Sequence, residues 1–225
     1  MNFYDQLIQQ TEPDRNELYA APMIQSALKG EISKQTYVTF LSQAYHHVRH
    51  TVPLLMACGS RLSSEYEFMK KAITEYIEEE YGHEQWILND IKHCGFNPET
   101  VKQSRPHLTT DLMVRYAYHQ IDRENPVGFF GMVFVLEGTS TALATQAAEA
   151  LKTSLQLPNK AFSYLLSHGS LDQDHVQFFE QLVNQLSDEK DKQVIIHSAK
   201  AIFKLYGDIF RAIPNMEPQY EYKSS

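Results

Sequence analysis

A chain of 225 residues, 43% hydrophobic and 21% charged, has the size and composition of one soluble globular domain that needs no staples to bury a core. Its formal charge of -8 excludes the clustered basic surface that nucleic acid or an anionic membrane would demand. Two cysteines, Cys58 and Cys94, exclude a disulfide framework and a thiolate metal site, so the cytoplasm is the expected compartment.

The chain reads as helix throughout. Glycines number only 9, no Asn-Gly or Asp-Gly pair signals a hairpin, and no alternating Val/Ile/Thr run suggests a strand. Helical stretches are expected at 3–11, 15–29, 33–62, 64–95, 108–123, 126–155, 158–186 and 188–213. Pro53 should kink or break the 33–62 stretch just after Tyr45-His46-His47-Val48-Arg49-His50. Asn125-Pro126 has the form of an N-cap followed by proline at the first helical position. Long helices joined by short loops favour a bundle of antiparallel neighbours. The expectation is one all-α domain over residues 1–225, its core at about 15–213 and a polar, frayed tail at 217–225. No apolar run is expected to span a bilayer, and the N-terminus lacks a signal pattern.

Candidate chemistry begins in the stretch Ser167-His168-Gly169-Ser170-Leu171-Asp172-Gln173-Asp174-His175. A helix turns about 100° per residue, so His168, Asp172 and His175 fall within roughly 60° of one another on one face. Two imidazoles and a carboxylate suit iron, manganese or zinc. Other stretches offer matching donors. In Glu78-Glu79-Glu80-Tyr81-Gly82-His83, Glu80 and His83 stand three apart and share a helix face; Glu79 is the alternative to Glu80. Glu137 ends the apolar run Phe130-Gly131-Met132-Val133-Phe134-Val135-Leu136, where a buried carboxylate calls for a cation, a metal or a hydrogen-bonded partner. Glu80, His83, Glu137, His168, Asp172 and His175 together supply enough donors for two metals. Ser140, three after Glu137, breaks the paired Glu-x2-His pattern of ferritin-like bundles.

The Glu-x2-His helix, the later Glu137 and the His-x3-Asp-x2-His helix resemble the haem-oxygenase-like di-iron oxidases and oxygenases, within the broader TenA/PqqC-like helical superfamily. Leu28-Lys29-Gly30-Glu31-Ile32-Ser33-Lys34-Gln35-Thr36-Tyr37 and Phe40-Leu41-Ser42-Gln43-Ala44-Tyr45 resemble that superfamily's second-helix region. The resemblance implies a haem-oxygenase-like bundle of seven to eight helices, often a homodimer, that activates O2 to oxidise a small organic molecule. It implies one iron held by Glu80, His83 and Glu137, and a second that shares Glu137 with His168, Asp172 and His175; manganese accepts the same set. In some members the first glutamate stands seven residues before the His, and the residue there in this chain is Tyr76. No haem is expected, because the first histidine is His46 rather than one in the first helix. The alternatives are a metal-free TenA- or PqqC-like enzyme of the same fold, and a non-catalytic metal- or ligand-binding protein. Tyr45, His46, Arg49, His50 and Tyr118 are candidate pocket residues beside the ligand set, against the plainer reading of core aromatics and surface charges.

Overall fold

The computed structural model describes residues 1–216, with the backbone alone over 168–174. The chain is all-α. Twelve α-helical segments run α1 Phe3–Gln10, α2 Glu12–Tyr19, α3 Pro22–Leu28, α4 Lys34–Val48, α5 Thr51–Arg61, α6 Glu67–Glu80, α7 His83–His93, α8 Pro98–Gln103, α9 Leu108–Arg123, α10 Phe130–Leu155, α11 Ser163–Val183 and α12 Glu189–Ala212. Each of the eight expected stretches is present, several of them cut into shorter segments, and α8 had no counterpart in the sequence reading.

The cuts have local causes. The 33–62 stretch breaks where expected, with α4 ending at Val48 and α5 starting at Thr51. Pro53 therefore sits in the first turn of α5, where its missing N–H would have had no intrahelical acceptor. Pro22 begins α3 and splits the 15–29 stretch in the same way. Asn125 does cap the turn that follows it, its side chain accepting from Val127 N–H. That turn is a 3-10 segment, Pro126–Phe129, which feeds directly into α10. The tail at 217–225 lies outside the described residues.

Helix α10 is the spine. It packs along α11 and α12, while α4 lies on α7 and α9, α5 on α6 and α9, and α11 also on α7. Its N-terminal half supplies Phe130, Met132, Phe134 and Val135 to one core cluster, and its C-terminal half supplies Ala144, Ala148 and Leu151 to a second. The stretch Pro126–Leu155 is long and apolar enough to cross a membrane, with a mean hydropathy of 1.5 over its best window. The sequence reading had expected no such run. A little over half of that window, 56%, is buried inside the bundle, and the buried positions fall mostly in the N-terminal half of α10. The second cluster is closed by Phe162, fully buried and stacked on Tyr37 at 5.1 Å, while the Tyr37 hydroxyl donates to the Ala161 carbonyl at 2.9 Å.

Candidate metal centre

Two of the expected ligands meet in one cavity. It has a volume of about 90 Å³ and lies between α4, α5, α6, α10, α11 and α12. Glu80, from the last turn of α6, and Glu137, from the N-terminal third of α10, both line it. Glu137 follows the most apolar turns of α10, and that run carries its carboxylate inward, so that Oε2 is shielded from solvent. Among the described residues, no Lys or Arg lines the cavity. Two carboxylates that line one confined space repel one another, and a divalent ion would relieve that repulsion.

Glu80 and His83 do come together, but not as the sequence suggested. The expected continuous helix over 64–95 is broken after Glu80, so the two residues lie on different helices. Gly82 takes φ +91°, a left-handed conformation that a residue with a Cβ adopts only under strain, and it breaks the helix between α6 and α7. Across that turn His83 Nδ1 lies 3.1 Å from Glu80 Oε2. The His83 ring is buried and stacked on Trp86 at 3.9 Å between ring centres. Glu79 faces elsewhere: its Oε2 is 3.1 Å from His175 Nε2, linking α6 to α11. Glu79 is 49% exposed against 16% for Glu80, and Glu80 is the one in the cavity. The side chains of His168 and Asp172 lie outside the described residues. Among the described residues, no three His, Cys, Asp or Glu side chains are gathered closely enough to hold an ion.

Tyr76 is the cavity residue that the search for ligands passed over. It lies one helical turn before Glu80 on α6, is 2% exposed, and its hydroxyl has no hydrogen-bond partner among the described residues. Its ring packs edge-on to Phe178 of α11 at 5.4 Å. Burial, and then the charges of Glu137, Glu79, Glu80 and Glu75, hold its phenol well above the usual range. It remains a hydrogen-bond donor at any working pH. The signal for it was the four-residue step from Tyr76 to Glu80, which puts both on one face.

The residues around the α4–α5 junction, with Tyr118 of α9, divide differently from the expectation. His47 and Thr51 line the cavity, and the His47 ring meets Tyr206 edge-on at 5.8 Å. Tyr45, His46, Arg49, His50 and Tyr118 line neither this cavity nor the one behind it. His46 Nε2 is 2.9 Å from Ser104 Oγ, and His50 Nδ1 is 3.2 Å from Tyr118 Oη. The Arg49 guanidinium lies over the Tyr45 ring at 5.6 Å. With about 100° between successive helical residues, His46 and His47 cannot share a face, and it is His47 that points inward.

One more buried acid positions the site. Asp90 of α7 is fully buried and accepts from Ser163 N–H at 3.0 Å, Tyr164 N–H at 2.9 Å and the Ser163 hydroxyl. It thereby caps α11 from outside and joins the helix of His83 to the helix of His175. Burial raises its carboxyl to about 6, against the opposing pull of those hydrogen bonds.

Comparison with known proteins gives this geometry a setting. The chain matches the model of a family described as an iron-containing redox enzyme over residues 38–207, well over half its length. No curated protein matches the sequence. Among solved structures it is similar to a domain of unknown function with a heme oxygenase-like fold from Shewanella denitrificans, at 20% identity and a TM-score of 0.83, covering 96% of this chain and 93% of that one. It is also similar to a TenA homolog from Pseudomonas syringae pv. tomato (10% identity, TM-score 0.79, 95% and 93% covered). A heme oxygenase from Leptospira interrogans aligns at 18% identity and a TM-score of 0.76, with 94% and 99% covered. These likenesses establish the haem-oxygenase-like, TenA-like fold.

Proposed function

This chain belongs to the iron-containing redox enzymes, and from that premise we propose that it is a non-haem di-iron oxidase or oxygenase that uses O2 to oxidise a small organic molecule. One observation carries the proposal: Glu80 and Glu137, from two different helices, open onto one cavity. The residues present suit iron by donor type, since carboxylates and imidazoles are the ligands that Fe(II) and Fe(III) prefer. Glu80 and Glu137 would hold the ion at the cavity. His83, bonded to Glu80, and His175, bonded to Glu79, stand next to them. His168 and Asp172, one and two turns along α11 from one another and from His175, complete the proposed set. When bound, iron supplies the electrons that reduce O2.

The chain's own groups do the rest. The two carboxylates balance the positive charge, Tyr76 offers a hydrogen bond to a polar atom in the cavity, and the apolar walls from Leu54, Leu55, Phe129 and Met132 keep bulk water out. Asp90 fixes α11 against α7 and so sets where His175 stands relative to His83.

The test is iron content after anaerobic Fe(II) loading, measured for wild type, Glu137→Ala and His175→Ala, with a parallel haem titration. Close to two irons per chain, reduced to one or none in each variant, is the expected result. An absence of stoichiometric iron in the wild type, or a tight Soret-absorbing haem complex in place of it, overturns the proposal.

A further inference from the structure

Behind the carboxylate cavity lies a second one of about 80 Å³. Its walls come from α3, α4, α10, α11 and α12, with Ile24, Phe40, Leu143, Ala144, Leu165 and Phe210 among them, and no charged side chain among the described residues lines it. The two spaces adjoin, since Ser140, Tyr164 and Tyr206 border both. Among the described residues, the polar lining of the rear space is limited to the hydroxyls of Tyr37, Thr139, Ser140, Tyr164 and Tyr206, and a space whose walls are otherwise apolar favours hydrocarbon. A charge placed there would lose its hydration and gain no partner.

The front cavity has the opposite character. Glu80, Glu137, Thr51 and His47 line it, as does Tyr76, which is 2% exposed and whose hydroxyl has no hydrogen-bond partner among the described residues. A buried hydroxyl left without a partner costs about 1–3 kcal/mol, which a bound acceptor would recover. We propose that the substrate is a small amphiphile, with an uncharged hydrocarbon body seated in the rear chamber and a polar head that accepts a hydrogen bond from Tyr76 beside Glu137. The assignment rests on the front cavity's being the site of oxidation, and it names the class of molecule delivered there.

Calorimetric titration of the full-length, iron-free protein tests both ends separately. Benzene probes the chamber alone, and straight-chain alcohols from butan-1-ol to octan-1-ol probe chamber and head together. The rear chamber is filled by Ala147→Phe, a substitution at a half-buried lining position, and the donor is removed by Tyr76→Phe. Benzene should bind wild type and Tyr76→Phe alike and bind Ala147→Phe at least tenfold more weakly. The alcohols should bind about fourfold tighter per added methylene until the chamber is full. They should weaken at least tenfold in Ala147→Phe and about two- to tenfold in Tyr76→Phe. No benzene binding to wild type, or binding that survives Ala147→Phe, overturns the chamber; alcohols indifferent to Tyr76→Phe overturn the head assignment. If Ala147→Phe does not fold, Leu143→Ala enlarges the chamber instead and should shift the preferred alcohol to a longer chain, with an unchanged preference counting against the proposal. Portions of the same proteins are then loaded with Fe(II) anaerobically and their iron counted: benzene binding by a protein that takes up no iron rejects the di-iron reading and leaves the chamber standing, whereas iron uptake without benzene binding does the reverse.

Discussion

His46 is buried at the end of α4, and burial, then the charges of Arg49 and His50, lowers its imidazole to about 4 from an ordinary 6.5. A base whose folded pKa is depressed is neutral in the fold and protonates first in the unfolded chain. Its contribution to stability is present above about pH 6.5 and is lost as the pH falls toward 4. The stability difference between wild type and His46→Gln, from urea unfolding at pH 7 and pH 4, should therefore move by up to about 3 kcal/mol against the wild type at the lower pH. Residue by residue, the sequence was readable where chemistry and hydropathy disagreed. Glu137 stood out because an acid ends an apolar run, and the structure does turn it inward. The α4 histidines did not stand out correctly, since His46 and His50 have the same one-turn spacing as His47 and Thr51, and only packing decides which pair looks into the cavity. Tyr76 was noticed as a tyrosine where a glutamate was expected; nothing in its neighbours announced a hydroxyl left without a partner.

Two glycines of α10 show how one element can be tight in one place and loose in another. At Gly131 an added Cβ would stand 2.6 Å from the Ala199 amide nitrogen and 2.7 Å from the Ile195 carbonyl oxygen of α12. Those are backbone atoms of a packed helix, so the two helices must separate to admit it. Gly138, two turns on, has nothing within 4 Å of the same point. Gly131→Ala should lower unfolding free energy by about 1–3 kcal/mol, whereas Gly138→Ala should raise it by up to about 1 kcal/mol through helix preference. Urea denaturation of both variants checks the pair, and equal effects would mean that α10 and α12 are not in that contact. The existence of the helices followed from hydrophobic spacing and the lack of strand signals. Their breaks were less legible. Pro53 marked one in advance, but Gly82 did not, because a lone glycine within a helical pattern is compatible with a continuous helix as well as with a left-handed turn. That turn changed how Glu80 meets His83 while leaving them together.

On the scale of the molecule, the two core clusters are tied by α10, which gives its first half to one and its second half to the other. The chain should therefore unfold as one unit. Phe162→Ala, which removes a fully buried ring from the second cluster, should cost about 3–5 kcal/mol. The unfolding curve from Trp86 fluorescence, the single tryptophan, should shift together with the far-ultraviolet helical signal. Separated curves would show that the half of the core around Trp86 melts alone. The all-α class was legible at this scale because periodicity is a property of long segments, but the cavities were not, since each is bounded by helices distant in sequence. Helix α10 passes both of them, presenting Glu137 to the front and Leu143, Ala144 and Ala147 to the rear. Glu137 and Ala147 are almost three turns apart, about 15 Å along the axis. Mutations can therefore accumulate on the rear turns and alter which molecules fit while the acid that faces the cavity stays untouched, so a lineage built on this helix could exchange one diet for another without ever passing through a form that had lost its chemistry.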